Sequence, residues 1–480
     1  MSGLAVELAL ATLLTGGTVV CPDPGQQPAD ILADLAGSRT TRLSLPSRLL
    51  WELIRRPVPG LGELRRVLHI GPEPRQQDVY AAVEALGAVV AHVREPSSSA
   101  EAADRALREV IDAAAAASWK QVIGVTGEQA RMFTHRLRSA VLSSMLVALR
   151  SGGVLNDPAR GHTVAEVLAA AGVAQEHRRL AERWLEALAE NDLIARHGDT
   201  FHAGPTVTTA DVVQDWKLTA ESWTGHLGSA TVIDYLRRSA EQLPALLAGK
   251  QQATTLLFPR GSMRIADAID RRTATGRYLT TALATAMQEI AVAHPGFGPL
   301  RVLELGAGTG VRTEVIAEAL AAMRRPGPAV DYVCAEGSEL LLDAARARLG
   351  RFARIRLAHA GPSGPGFRPR SFDVVIGAEV LAASADPDAA ARRLVGLLAP
   401  GGWLLLDEPT HEHTEFLISR ALLPHAAGDA RLDPGGGALP SRDRWREALA
   451  SAGVGAVLTL PDQDHPMALL GHQLFAARVP

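Results

Sequence analysis

Three glycines and a few acids and histidines are the residues whose types and spacing can do chemistry. Gly306, Gly308 and Gly310 stand at alternate positions between an apolar run, Arg301–Leu305, and a helical pattern, Val311–Ala322. A strand that turns through glycines into a helix lets the backbone approach a ligand closely, and the helix N-terminus offers unpaired N–H groups. Glu336 ends a second apolar run, Val330–Ala335. An acid at the tip of that second strand can accept hydrogen bonds from both hydroxyls of a ribose. Further along, Glu379 and Glu408 each close a strand-like segment, and His411 and His413 flank Glu412. Two histidines one residue apart, without a third ligand at helical or hairpin spacing, do not make a zinc site, and no metal is expected. Cys21 and Cys334 are far apart and match no metal or redox spacing, which suits a reducing cytoplasm.

The elements that must hold these residues fall into regions. Residues 294–480 alternate strand and helix throughout, which predicts an α/β, Rossmann-like fold with a mostly parallel sheet. Residues 119–293 read mostly helical. There Arg138–Arg150 is amphipathic, Thr163 caps a short helix, and His177–Asn191 carries Leu180, Trp184 and Leu188 on one face. A hairpin over Leu193–Phe201, turning at Gly198-Asp199, completes a winged-helix-like pattern. Its presumed recognition helix carries Glu176, Glu182, Glu186 and Glu190. Those acids oppose phosphates, so nucleic acid is not an expected partner.

Residues 1–96 alternate helices (Leu4–Leu14, Pro28–Ala36 and one ending near Leu86) with strands (Thr18–Cys21, Arg42–Leu45, Val67–Ile70, Ala88–Val93). Residues 97–118 read as a linker, Ser97–Ser99 leading into an alanine-rich helix over Glu101–Ser118. The 480 residues are 47% hydrophobic and 21% charged with a net charge of −3. Those values suit several globular domains and give no basic field to gather nucleic acid or anionic membrane. The apolar N-terminus has no basic n-region, carries Glu7 and turns at Gly16-Gly17. The chain is therefore expected to be cytoplasmic, without a membrane span.

The glycine segment reads E-x-G-x-G-x-G, with Glu304 inside the strand. A diphosphate wants unopposed amides, whereas the cationic amino-acid part of S-adenosyl-L-methionine tolerates a nearby carboxylate. The pattern thus favours the sulfonium cofactor over NAD or FAD. Val302–Gly310, Ser371–Ile376 and Leu397–Leu406 together resemble class I methyltransferases in order and spacing. The resemblance implies that Gly306, Gly308 and Gly310 line the methionine moiety, that Glu336 binds the ribose, and that the segment at Ala358-His359 lies near the adenine, with His359 where the family commonly has an acid.

Leu256–Ser262 and the stretch Leu137–Phe201 resemble the methyltransferase domains of polyketide synthases and nonribosomal peptide synthetases, and related small-molecule O-methyltransferases. In the first region Leu13–Val20, Leu64–Gly71 and Gly87–Pro96 resemble a central piece of a synthetase adenylation domain. At that family's N-x-Y-G-P-T-E motif this chain has His92–Ser98, with Ser98 replacing the metal-associated glutamate. Adenylation is therefore not implied, and the fragment reads as a relic or a docking surface. The resemblance implies an enzyme of natural-product biosynthesis acting in trans on an intermediate bound to a carrier protein or synthetase module, carbon slightly ahead of nitrogen and oxygen. A free small-molecule O-methyltransferase and a cofactor-binding docking subunit without turnover stay open.

In related methyltransferases a histidine after the fourth strand and a glutamate ending the fifth form the base. The glutamate matches Glu408, whereas the histidine position falls at Ala382. Glu379, or a histidine such as His411, His413 or His226, then stands as the substitute. An acceptor that needs little help, or a domain that binds cofactor without turnover, also fits. Trp216, Trp223 and Tyr235 read as core, with a wall of the acceptor cavity as their other use.

Overall fold

The structure, a computed structural model, describes residues 42–46, 66–71, 89–94, 99–294, 298–323, 328–360, 366–433 and 441–479. The chain divides into two compact units, residues 1–102 and 103–480. In the first, β1 (Arg42–Pro46), β2 (Arg66–Gly71) and β3 (Val89–Arg94) form a parallel sheet in that order. These are three of the strands expected from the sequence. The strand at Thr18–Cys21, the helices around it and the helix ending near Leu86 lie outside the described residues.

The second unit begins within helix α1 (Ser99–Trp119). Helix α2 (Gly127–Arg150) is longer than its amphipathic stretch suggested, because Thr126 and Gln129 form a reciprocal capping box ahead of it. Strand β4 (His162–Thr163) leads into α3 (Val164–Ala170), capped by Thr163, and then α4 (Arg178–Glu190). Strands β5 (Ile194–His197) and β6 (Thr200–Ala203) pair as a hairpin, and β4 pairs with β6. Helices α5 (Thr209–Trp223), α6 (Ala230–Glu241), α7 (Arg264–Arg272) and α8 (Ala274–Ala293) complete the helical layer.

The site is built on a seven-stranded sheet. It contains β7 (Leu300–Leu305), β8 (Val330–Glu336), β9 (Ile355–His359), β10 (Phe372–Ala378), β11 (Leu398–Pro409), β12 (Val457–Leu460) and β13 (His472–Arg478). The order is β12-β13-β11-β10-β7-β8-β9, with β7 to β11 parallel and β13 antiparallel to both its neighbours. The near-continuous apolar run of β7 is what a strand covered on both faces requires. Val302 and Ile376 join a core shared with the helical layer, while Leu303, Leu305 and Val375 join a second core with Leu404, Trp445 and Phe475. Chain order reverses beside β7: β8 and β9 lie on one side, β10 and β11 on the other. The carboxyl edge at such a reversal is where open α/β sheets bind ligands.

Helix α4 faces inward. Trp184 is fully buried and donates to the Leu417 carbonyl at 3.1 Å, and buried Arg183 pairs with Glu412, Glu186 and Glu190. The arginine beside Trp184 is thus spent on the chain's own acids. Among the described residues no helix is long and apolar enough to cross a membrane.

Truncating Trp184 removes a large buried side chain at the junction of helical layer and sheet-end segment. Trp184→Ala is expected to lower unfolding free energy by about 3–5 kcal/mol, read by chemical denaturation, and Trp184→Phe by less.

Candidate active site

The cofactor side is assembled where β7 and β8 end. Gly306, Gly308 and Gly310 all have left-handed backbone, with φ of 72°, 58° and 76°. A side chain at Gly308 would be conformationally strained, though its Cβ would meet no atom within 4 Å. The turn therefore presents backbone, not side chain, to an open face. Glu336 is 8% exposed; its Oε2 accepts the Gly308 N–H and its Oε1 the Ser338 N–H, both at 2.8 Å. A carboxylate has about four acceptor sites, so the two left are free to take two ribose hydroxyls. Pinned carboxylate and bare turn together fit a ribose-bearing amino-acid cofactor. His359 is largely exposed; its Nε2 bonds the Gly337 carbonyl at 2.9 Å and its Nδ1 lies 3.2 Å from Glu339.

Glu304 is placed differently from the sequence expectation. It is buried, its Oε2 accepting the Thr313 hydroxyl at 2.6 Å and the Tyr332 hydroxyl at 2.8 Å, and burial raises its pKa. The strand's alternation turns it under the turn, where it ties helix α9 (Val311–Ala321) to β8. It does not face the open side.

Beyond the ends of β10 and β11 lies a cavity of about 210 Å³. Phe133, Leu137, Trp223, Tyr235 and Leu279 form its apolar wall, so two of the three aromatics singled out from sequence reach it; Trp216 instead donates to Ser144 in the core. Its charged side carries Glu379, Asp407, Arg312, His411, His413 and His472. Glu379 has φ 55°, follows β10 and receives Arg420 and Arg431 on its two oxygens, each at 2.7 Å. Burial alone would raise its pKa, but Arg420, Arg431 and His472 hold it well below the ordinary carboxylate value. Asp407, 1% exposed, pairs with Arg312 at 2.7 Å and with His472 Nδ1 at 3.1 Å. Against its burial, Arg312 and then His472 keep it ionised.

The three histidines differ. His413 bonds Glu415 through Nδ1 at 2.9 Å and the Gly471 carbonyl through Nε2 at 3.0 Å. Although burial opposes its charge, Glu415 raises its pKa, and Glu415 itself falls to about 2. His411 stacks on His413 with ring centroids 4.8 Å apart, and burial followed by His413 pushes it down to about 4. It occupies the space beside Gly471, where a Cβ would come within 2.0 Å of its ring. His472 has its second nitrogen 4.0 Å from Glu379.

Glu408 does not line this cavity. It is fully buried, and its two oxygens accept the N–H groups of Leu381 at 2.8 Å and Ala382 at 3.0 Å. Successive residues of a strand face opposite sides, so Asp407 meets the cavity and Glu408 pins the segment after β10. Ala382 is itself buried, and His226 lies beside Gly124, away from the cavity lining. Asp407, Arg312 and His472 were not singled out in the sequence. The two-residue period of β11 was the one signal for Asp407.

Residues 303–404 match the family described as a methyltransferase domain. The chain thus carries a methyltransferase domain on a mostly parallel α/β sheet. Among particular relatives, a pyochelin synthetase of Pseudomonas aeruginosa is 30% identical over 312 residues, 64% of this chain and 17% of that protein. The chain thus spans a minor part of that relative's length. The carbon methyltransferase CurJ shares the fold at 22% identity and TM-score 0.67, over 78% of this chain and 99% of that one. The trans-methyltransferase CalH, solved with S-adenosylhomocysteine (SAH), aligns at 17% identity and TM-score 0.51, over 75% of this chain and 93% of that one.

Burial, ahead of the two backbone hydrogen bonds that oppose it, raises Glu408 from 4.5 to about 8. Folded protein then keeps a proton that the unfolded chain has released. The stabilising contribution is complete below about 4.5 and is lost as pH rises to about 8. The melting temperature is expected to fall across that window, and the slope to flatten in Glu408→Gln, by scanning calorimetry at fixed ionic strength.

Proposed function

We propose that this chain transfers the methyl group of S-adenosylmethionine to a polyketide or peptide intermediate tethered to a carrier protein, acting in trans within natural-product biosynthesis, with carbon the favoured acceptor atom. The observation that carries this reading is the cavity itself. It lies beyond β10 and β11, with Arg312, two residues past Gly310, in its lining, and combines an apolar wall with charged groups. Bound at Gly306–Gly310 and Glu336, the cofactor would supply an electrophilic methyl group. The chain's own residues do the rest: the apolar wall excludes water, and the charged side orients the acceptor and handles its proton.

A second feature supports a tethered acceptor. An open cleft of about 620 Å³ shares Thr134, Arg138 and His411 with the cavity wall. Arg131, Arg138, His135 and Arg442 line it without an acid among the lining residues. A long arm carrying a phosphate at its base suits such an entrance. Resemblance to synthetase and trans-acting methyltransferases points the same way. Residues 1–96 are read as an adenylation-like fragment that docks or survives as a relic, ahead of the 97–118 linker, the 119–293 helical region and the 294–480 methyltransferase domain.

Incubation of loaded carrier proteins with S-adenosylmethionine, followed by intact-protein mass spectrometry, tests the proposal. The expected result is a carrier-bound product heavier by one methylene. Labelling of free phenols or acids alone would favour the small-molecule O-methyltransferase, and cofactor binding without turnover the docking subunit. Gly308→Val forces a β-branched residue into left-handed backbone at a cost of about 1–2 kcal/mol. It should weaken cofactor binding by about tenfold or more by calorimetric titration.

A further inference from the structure

We propose that His472, oriented by Asp407, is the base that takes the acceptor's proton, an assignment that rests on reading the cavity as the acceptor site. The proposal begins from a vacancy of function. Ala382 stands where a basic side chain is expected beside Glu408, and both oxygens of Glu408 are spent on backbone N–H groups outside the cavity. Some other group must accept the proton if the acceptor is a carbon acid.

The other titratable side chains on the charged side are engaged elsewhere, Asp270 with Arg312 at 3.3 Å and Glu412 with Arg183 among them. Glu379 is neutralised by two guanidiniums, one on each oxygen. Glu415 is bound to His413. The Gly471 carbonyl can only accept, so His413 Nε2 carries a hydrogen, and its Nδ1 faces the Glu415 carboxylate. Both nitrogens of His413 are therefore committed. His411 stacks on His413, and burial followed by the neighbouring His413 disfavours the charge it would gain. Arg138, Arg312 and Arg420, the cations lining the cavity, hold no lone pair to offer.

Among the described residues that line the cavity, His472 has the arrangement of a base. Asp407 is a carboxylate, so the 3.1 Å contact makes Nδ1 the donor and leaves the Nε2 lone pair uncommitted. That nitrogen is 4.0 Å from Glu379, beyond hydrogen-bond reach, and His472 lines the cavity. Asp407 fixes the ring and tautomer and stabilises the imidazolium that forms, the division of labour of a carboxylate–imidazole pair. Arg312 pairs with the other oxygen of Asp407, and His413 packs against the His472 ring at 4.6 Å between centroids. In the step itself, the acceptor's C–H proton passes to Nε2. The freed electron pair forms the new bond to the methyl carbon, and the pair of the breaking carbon–sulfur bond stays on sulfur, turning sulfonium into thioether.

The test separates the base from the reading beneath it. Wild type, His472→Ala and His472→Gln are compared for three quantities: methyl transfer to a pantetheine thioester of a 3-oxo acid, deuterium exchange at that probe's acidic carbon in heavy water without cofactor, and cofactor affinity. General-base loss is expected to cost about 100-fold or more in transfer, to suppress enzyme-dependent exchange, and to leave affinity within about threefold. Added imidazole should restore part of both activities in His472→Ala, which a merely structural role would not allow. Should the alanine variant fail to fold, His472→Gln, which keeps a donor toward Asp407, gives the same readings. Variants that bind cofactor and keep wild-type exchange and transfer overturn the base assignment while leaving the function standing. Wild type that neither exchanges nor methylates overturns the function and the assignment with it.

Discussion

Two carboxylates sit buried at the carboxyl edge of the sheet, and the site depends on how their charge is answered. Glu379 and Asp407 stand at the ends of adjacent strands, with the Glu379 N–H donating to the Asp407 carbonyl at 2.8 Å. Each is answered by partners from other elements: the guanidiniums of Arg420 and Arg431 from the segment after β11, that of Arg312 from the first turn of α9, and the Nδ1–H of His472 from β13. Removing one partner of a buried ion pair typically costs about 3–5 kcal/mol, because it strands a charge away from water. The pairing therefore fixes where those three elements sit relative to the ends of β10 and β11.

That constraint shapes both halves of the site. Arg312 follows the glycine turn by two residues and also reaches Asp270 on α7 at 3.3 Å. The glycine turn's helix, the helical layer and the cavity beyond β10 and β11 thus share one guanidinium. Arg348 adds a second tie, bonding Asp267 on α7 and the Thr309 carbonyl within the turn. Arg431 also lies over the Phe416 ring at 3.9 Å and pairs with Asp429, so the segment over the cavity is held by packing as well as charge. A cavity bounded this way is preorganised, which is how an enzyme without an elaborate covalent mechanism lowers its barrier.

The cofactor half was legible in the sequence because its signal is local. A strand, a glycine turn, a helix and an acid at the next strand tip are consecutive, and each residue type has one physical reason to be there. Three of the first region's strands and a mostly parallel sheet over residues 294–480 were legible from apolar periodicity for the same reason. The cavity was legible only in part: Glu379, His411, His413, Trp223 and Tyr235 were singled out and line it, whereas Asp407, Arg312 and His472, far apart in the chain, were not. His472 reaches Asp407 through antiparallel pairing that sets Pro409 opposite His472, a register no local pattern states. Choosing Glu408 over Asp407 was a choice of strand face, and one residue reverses it. Glu304 shows the same sensitivity: an acid one position from a turn lies on its inner or outer side according to the pleat.

The central claim is that cofactor turn and charged cavity are two sides of one reaction site. A crystal structure of the chain with SAH tests it most directly. The account predicts ribose hydroxyls on Glu336 and the thioether sulfur facing the cavity that holds Glu379, Asp407 and His472. A ligand bound away from Gly306–Gly310, or a sulfur turned from that cavity, would contradict it.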